Sequence, residues 1–388
     1  MDGGAAIPGL LRDLNERFVL EEIRRSAPIS RAQLSRRTGI SKPTVSLALR
    51  SLREAGLVRE ATVEPGPPHY GAVYFEAVPE IAAVIGFDVG ARFLRGALSD
   101  LHGDVRARQD VETAGADVHS VVAAIVSLRD SLVQASGSAG ERVDGVVVAV
   151  PGVVPSGGGP VSLAGDVPGL GDVDLQAELR ERLGVAVTLE NDIDLAAVGE
   201  HRRGVARGVD DFAFLSVGTG LGAGIVLGGA VHRGSNGAAG ELDAVRSGRE
   251  DDLDPCASAV SAYAAGLAAT GSTTLTPPFD VRAIFGAARA GDEVAAAVVR
   301  EEARRIALHI VPVSATLDVS LVVLGGGIGM NGDLLLEPVR ALLAEWLAFP
   351  PRVESSGLGD AATLYGALAI GIGDALENVF AARRLISP

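Results

Sequence analysis

Val217-Gly218-Thr219-Gly220-Leu221-Gly222-Ala223-Gly224 lies between two apolar runs, Phe212–Val217 and Gly224–Leu227. It reads as a strand, a glycine-rich hairpin and a returning strand, with bare backbone that a phosphate can approach. Upstream, the strand Ala186–Leu189 ends at Glu190-Asn191-Asp192. Gly145–Val150 (GVVVAV) is a strand buried on both faces that stops at Pro151-Gly152. Ala83–Phe87 is another buried run, Phe93–Leu98 its hairpin partner and His102-Gly103-Asp104 the next turn. Val118–Ser136 suits an amphipathic helix with Asp117 placed to cap it. Downstream, a long helix is expected near Val294–Leu317, and the strand Ser320–Leu324 runs into Gly325-Gly326-Gly327. Two such sets imply two α/β lobes with a cleft between them.

The stretch before Ile81 follows a different pattern. Leu14, Phe18 and Ile23 recur at helical spacing, and Pro28 ends that helix. Ser30 can cap a second helix through Arg31, Leu34 and Arg37, and Thr38-Gly39-Ile40 forms a turn. Ser41 caps a third helix, with Pro43 in its first turn, that ends near Gly56. Strands follow around Leu57–Val63 and Ala72–Ala77, separated by Pro65-Gly66-Pro67-Pro68-His69-Tyr70-Gly71. Helix, helix, turn, helix, hairpin is the order of a winged helix-turn-helix. The expected division is a head over 1–78, a first lobe over 79–192 and a second over 193–388, with the C-terminal helix packing back on the first lobe.

Charge separates the same regions. The chain of 388 residues carries −15, yet residues 12–59 hold ten Arg and one Lys against one Asp and four Glu. A basic head on an acidic body suits local docking on duplex DNA and disfavours wrapping by the whole surface. The third helix offers Ser41, Lys42, Thr44 and Ser46 for phosphates and base edges, and Arg50 and Arg53 for phosphates. The second offers Arg31, Arg36 and Arg37 for the DNA backbone.

With 47% hydrophobic and only 4% aromatic residues, Val, Leu, Ile and Ala must fill the core. Cys256 stands alone, which excludes an internal disulfide and a multi-cysteine zinc site. No apolar run reaches the length of a membrane span without charge or frequent glycine. The N-terminal stretch lacks the basic-then-apolar pattern of a secretory signal. A cytoplasmic protein without membrane contact is expected.

Ile85-Gly86-Phe87-Asp88-Val89-Gly90, Glu190-Asn191-Asp192, the hairpin 217–224, Gly237-Ala238-Ala239-Gly240-Glu241 and Leu324-Gly325-Gly326-Gly327-Ile328 stand in this order. Together with Arg31, Leu34 and Thr38-Gly39 in the head and Leu364-Tyr365-Gly366-Ala367 near the end, they make the chain resemble the ROK family (repressors, open reading frames and sugar kinases). The likeness is to its repressor branch and spans about residues 14–375. It implies a two-lobed actin-like, sugar-kinase-like body, a homodimer or homotetramer, and a sugar or sugar phosphate as effector.

Departures from the family pattern qualify that inheritance. The kinase loop Asp-x-Gly-Gly-Thr is here Asp88-Val89-Gly90-Ala91-Arg92, and Arg92 is expected to fill the phosphate space. Asp192 stands at the catalytic-base position, retained as a vestige. The zinc-site His is replaced by Ala244, a sugar-contacting glutamate by Ser258, and only Cys256 remains of the cysteines, so no metal is expected. The sugar site retains Asn191, Asp192 and Glu241, with Asp166 as a further candidate. The wing lacks the family's Gly-Arg-Pro, so His69 or Tyr70 would substitute for its arginine in the minor groove. The expectation is a ligand-responsive DNA-binding regulator, a repressor by family habit, without enzymatic activity or cofactor. Two alternatives stay open: a sugar kinase with a DNA-binding head, and a regulator whose body is only a dimerisation scaffold.

Overall fold

The computed structural model describes residues 6–62, 72–140, 142–155, 157–163, 167–244 and 253–386. The head contains α1 (Ala6–Ser26), β1 (Ile29–Ser30), α2 (Arg31–Thr38), α3 (Lys42–Glu54), β2 (Val58–Glu60) and β3 (Tyr74–Ala77). Its strands form an antiparallel sheet in the order β1-β3-β2. Local chemistry sets the helix ends. The Gln33 amide donates to the Ser30 hydroxyl while the Gln33 side-chain oxygen accepts from the Ser30 N–H at 2.9 Å, a reciprocal cap. Gly39, at φ 71°, takes the left-handed turn that ends α2. The Ser41 hydroxyl caps α3. Both wing strands are shorter than their apolar runs suggested. The connecting turn, with His69 and Tyr70, lies outside the described residues.

The first lobe comprises β4 (Ala83–Val89), β5 (Phe93–Asp100), β6 (Val105–Glu112), α4 (Val118–Ser136), β7 (Val143–Val150), α5 (Leu175–Leu183) and β8 (Ala186–Asn191). After α6 (Asp192–Arg203) come β9 (Phe212–Val217), β10 (Leu221–Leu227), β11 (Ala230–Val231), α7 (Ala257–Ala268), α8 (Val281–Arg289) and α9 (Glu293–Leu317). The chain closes with β12 (Leu321–Gly325), α10 (Gly326–Gly329), α11 (Gly332–Trp346), β13 (Arg352–Ser355) and α12 (Ala362–Ile386). The two body sheets share one topology, β6-β5-β4-β7-β8 and β11-β10-β9-β12-β13. In each, the first three strands in sequence pair antiparallel and the last two join parallel. Sequence patterning locates only part of this arrangement: β6, β11, β13, α5, α7, α8, α10 and α11 are not assigned from the residues, whereas the C-terminal helix is expected and does pack on the first lobe.

The outer face of the first sheet packs on α4 and α5 through Phe87, Leu94, Leu98, Ile125, Leu128 and Val148. In the second lobe, Leu215, Val217, Val322 and Leu324 pack against helices that include α9 and α11. Between the sheets lie α6 and α12. Val84 and Ala97 meet Leu364, Leu368 and Ile372 of α12, while Phe212, Phe214 and Val323 meet Ala196 and Ala197 of α6. The two helices approach at glycine: a methyl group on Gly366 would overlap the Leu195 carbonyl, and one on Gly199 the Ala362 carbonyl.

Helix α12 continues past the sheet into the head. Phe380 is buried with Val19, Ile23, Leu34 and Leu52, and Leu376 and Val379 pack beside it. The Arg17 guanidinium lies 4.8 Å from the Phe380 ring centre and donates to Glu377 at 2.8 Å. Among the described residues, Gly359–Ala381 is long and apolar enough by length and composition to cross a membrane, although it carries Asp360, Asp374, Glu377 and four glycines. Half of it is buried against the sheet, α6 and the head, which accounts for its apolarity.

Gly366→Ala is expected to destabilise the fold by about 1–3 kcal/mol, because neither helix backbone can retreat from the added methyl. Gly286→Ala is the control, since that glycine is helical with open space around it. It should stabilise by about 0.5–1 kcal/mol through helix propensity. Urea denaturation of both variants checks the pair.

Candidate functional site

The head presents one basic face. Val45, Ala48, Leu49 and Leu52 hold α3 against the core, which turns Pro43, Ser46, Leu47, Arg50 and Arg53 away from it. Arg31, Ser46, Leu49, Arg50, Arg53, Glu54 and Phe75 line a groove of about 530 Å³ between α3 and the wing strand β3. The sequence candidates divide into two groups there. Arg36, Lys42 and Arg50 are exposed, and their side chains have no hydrogen-bond or ion-pair partner among the described residues. The others are held within the head. Arg53 pairs with Glu60 at 2.9 Å, Arg37 with Glu22 at 3.0 Å, and Arg31 donates to the Ser46 hydroxyl at 3.1 Å. The Ser41 and Thr44 hydroxyls bond each other at 2.8 Å. Surface pairs of this kind are weak, so Arg37 and Arg53 stay available to phosphates at small cost.

The second site is the cleft between the lobes, about 490 Å³. The first lobe and the start of α6 supply Pro151, Gly152, Asn191 and Asp192, and the second supplies Gly218-Thr219-Gly220, Glu241, Asp280, Arg282 and Gly326-Gly327. Three expected ligand positions, Asn191, Asp192 and Glu241, therefore share one cleft. Asp166 lies outside the described residues. Asn191 is already engaged: its side-chain oxygen accepts from the Ile193 and Asp194 amides at 2.8 and 2.9 Å, and its nitrogen donates to the Gly152 carbonyl at 3.0 Å. Its principal role is to cap α6 and fix the turn that presents Asp192.

Carboxylates dominate the electrostatics. Burial, then the neighbouring Asp88 and Glu241, pushes the Asp192 carboxyl up to about 7. Burial and then Glu190 push Asp194 up to about 7 as well, and its Oδ1 is buried without a partner. Glu241 is raised by burial and by Asp243. Arg233 pairs with Glu190 at 2.8 Å.

Two expectations need correction. Arg92 does not fill a phosphate space: it pairs with Glu112 at 3.1 Å on the exposed edge of the sheet and does not line the cleft. The cation beside the first loop is Arg95, which donates to the buried Asp88 at 3.1 Å. Its position follows from the antiparallel register that sets Asp88 opposite Arg95, a pairing invisible in one strand's sequence. The hairpin glycines also have two roles. Gly218, Gly220 and Gly222 line the cleft, and Gly222 and Gly224 also leave room for Ile193 of α6.

A basic winged helix ahead of two duplicated α/β lobes is the build of a DNA-binding regulator. The ROK family model matches residues 84–373, and the chain belongs to that family. A MarR family model matches residues 13–66, the helices of the head and the start of the wing. A putative xylose repressor from Caldicellulosiruptor sp. (strain Rt8B.4) is 25% identical over 389 residues, spanning 95% of this chain and 97% of that one. The glucokinase of Streptomyces coelicolor is 28% identical over 309 residues, spanning 73% of this chain and 95% of that one. Among solved structures, a ROK family transcriptional regulator described as a homologue of the E. coli MLC protein superposes with a TM-score of 0.78 at 24% identity. It covers 95% of this chain and 99% of its own.

The raised Asp192 carboxyl carries a pH signature. Between the ordinary carboxylate range and about pH 7, the folded protein keeps a proton that the unfolded chain has released. Stability therefore falls as pH rises through that window. Asp192→Asn removes the loss. The variant should differ least from the parent near pH 5 and gain most at pH 8, by about 1–2 kcal/mol, less than the full shift implies because one edge of Asp192 faces solvent. Urea midpoints at the two pH values check this, and a pH-independent difference would place the titration elsewhere.

Proposed function

We propose that this protein is a transcriptional repressor that binds a duplex DNA operator through its winged helix and takes a sugar, or a sugar phosphate, in the cleft between its lobes. The observation that carries this reading is the set of unpaired cations, Arg36, Lys42 and Arg50, on the outward side of the helix-turn-helix. Such a face attracts phosphates locally, and the acidic body keeps the rest of the molecule off the polyanion. The head over 1–78 reads DNA, and the lobes over 79–192 and 193–388 enclose the effector. Asp192, Glu241 and Asp166 serve the effector as hydrogen-bonding groups, and Asn191, whose oxygen caps α6, adds its second side-chain N–H. A carboxylate between two lobes accepts from sugar hydroxyls as readily as it takes a proton in catalysis. The relatives named xylose repressor favour a pentose.

The body assembles as a homodimer or homotetramer in the cytoplasm, where the operator lies. An effector that binds one arrangement of the lobes more tightly than another shifts the molecule between DNA-bound and free states. The sugar-kinase reading has one observation in its favour: the Asp192 carboxyl titrates near neutrality, as a general base should. Against it, Asp88 is already engaged in an ion pair with Arg95 at 3.1 Å.

Full-length protein should bind duplex DNA with an affinity that falls steeply with salt. Arg50→Ala and Arg36→Ala should each lower the slope of log K against log salt by about 1, whereas Arg53→Ala, tied to Glu60, should lower it less. Fluorescence anisotropy from 50 to 300 mM salt measures this, and an unchanged slope would remove the arginine concerned from the interface.

A thermal-shift screen with xylose, other sugars, sugar phosphates and ATP tests the body. A sugar at one hundred times its Kd should stabilise the fold by about 2.7 kcal/mol and release DNA. ATP consumption in the presence of that sugar would establish the kinase reading instead. Silence with every compound would leave a dimerisation scaffold.

A further inference from the structure

The polar residues that the sequence offers for base reading on α3 are largely satisfied within the head. The Ser41 and Thr44 hydroxyls bond each other. The Ser46 hydroxyl donates to the Lys42 carbonyl at 2.9 Å and accepts from Arg31. Besides Lys42 and Arg50, the helix leaves one large apolar side chain in solvent. Leu47 is 63% exposed, while Val45, Ala48, Leu49 and Leu52 of the same helix are at most 4% exposed. It projects directly away from the core, one turn after Pro43 and one turn before Arg50.

A single exposed leucine on a protein surface is ordinary. The setting of Leu47 is not. It stands in the second turn of the helix that a helix-turn-helix inserts into the major groove, with the unpaired cations Lys42 and Arg50 along the same helix. A partner for this strip must offer negative charge at its edges and an apolar spot at its centre. A second copy of the same helix would bring Lys42 and Arg50 against like charges. The DNA major groove meets both requirements, with phosphates along its walls and the thymine methyl as the apolar feature on its floor.

We propose that Leu47 reads sequence by packing on a thymine methyl group in the major groove, while Lys42 and Arg50 hold the flanking phosphates. The inference rests on the DNA-binding reading above and adds the base class that the recognition helix selects. Polar side chains of α3 then act mainly to shape and cap the helix.

The test starts with selection of duplexes from a randomised library by the full-length protein. Each thymine of the selected site is then replaced singly by uracil, which removes only the methyl. Binding is measured by anisotropy for the parent and for Leu47→Ala, whose change lies on the surface. At one thymine per half-site, uracil should weaken the parent about fourfold, the fold-change that burial of one methyl-sized group carries. Leu47→Ala should lose most of that discrimination and keep the parent's salt slope. Leu47→Met, which retains apolar reach, should keep a measurable part of it. Equal responses of parent and Leu47→Ala to uracil at every position would overturn the proposal, as would selection that enriches no sequence although the protein binds. Either result leaves the DNA-binding reading standing. Absence of DNA binding at low salt removes that reading and this inference together.

Discussion

Two helix backbones approach closely in the middle of the molecule, and the rest of the body is arranged around that contact. At Gly199 and Gly366 the helices α6 and α12 leave no room for a Cβ atom. The same pair separates the two sheets, α12 packing mainly on the first and α6 mainly on the second through small or aliphatic side chains. Close approach is possible only because glycine brings nothing between the backbones, and the dense contact that results fixes the distance between the lobes. The cleft is therefore defined by helix packing as well as by the loops that line it.

Helix α6 starts at the cleft. Its first residue, Asp192, faces the cavity, and Asn191 caps it. Helix α12 starts beside it, where the Thr363 hydroxyl donates to the Asp192 carbonyl at 3.2 Å. At its other end, Phe380 completes the interior of the head, and Arg24 of α1 donates to the Leu101 carbonyl of the first lobe at 2.9 Å. One continuous helix thus touches both the turn that lines the cleft and the core beneath the recognition helix. The head is seated on the body by buried apolar surface and does not hang from a linker alone.

The two sites have opposite charge chemistry. In the head, cations stand exposed in water, where they remain free to exchange counterions for phosphates. In the cleft, carboxylates stand close together behind glycine loops, and burial with the neighbouring Asp88 pushes Asp192 up to about 7. A neutral, hydroxyl-rich ligand suits such a cleft better than a second anion would, because it can donate hydrogen bonds to carboxylates without adding to their repulsion.

Much of this was legible in the residues. The capping serines at 30 and 41, the turn glycine at 39, the buried run of β7, the helix α4 with its Asp117 cap and the glycine hairpin each act within a few residues of themselves. Local steric and hydrogen-bonding rules were enough to identify them. The same holds for the basic head, since charge is counted directly from composition. Among the unassigned elements, β6 is an edge strand with little burial, so its residues show no apolar alternation to read. The sites divide along the same line. Residue types marked Asp192 and Glu241 as polar groups of a cleft, but only the fold turned Arg92 outward, set Arg95 on Asp88 and spent Asn191 on a cap. By itself the sequence determined the kinds of element and the charge of each region. Tertiary structure decided which side chains were already satisfied and which were left free, because that depends on neighbours distant in the chain.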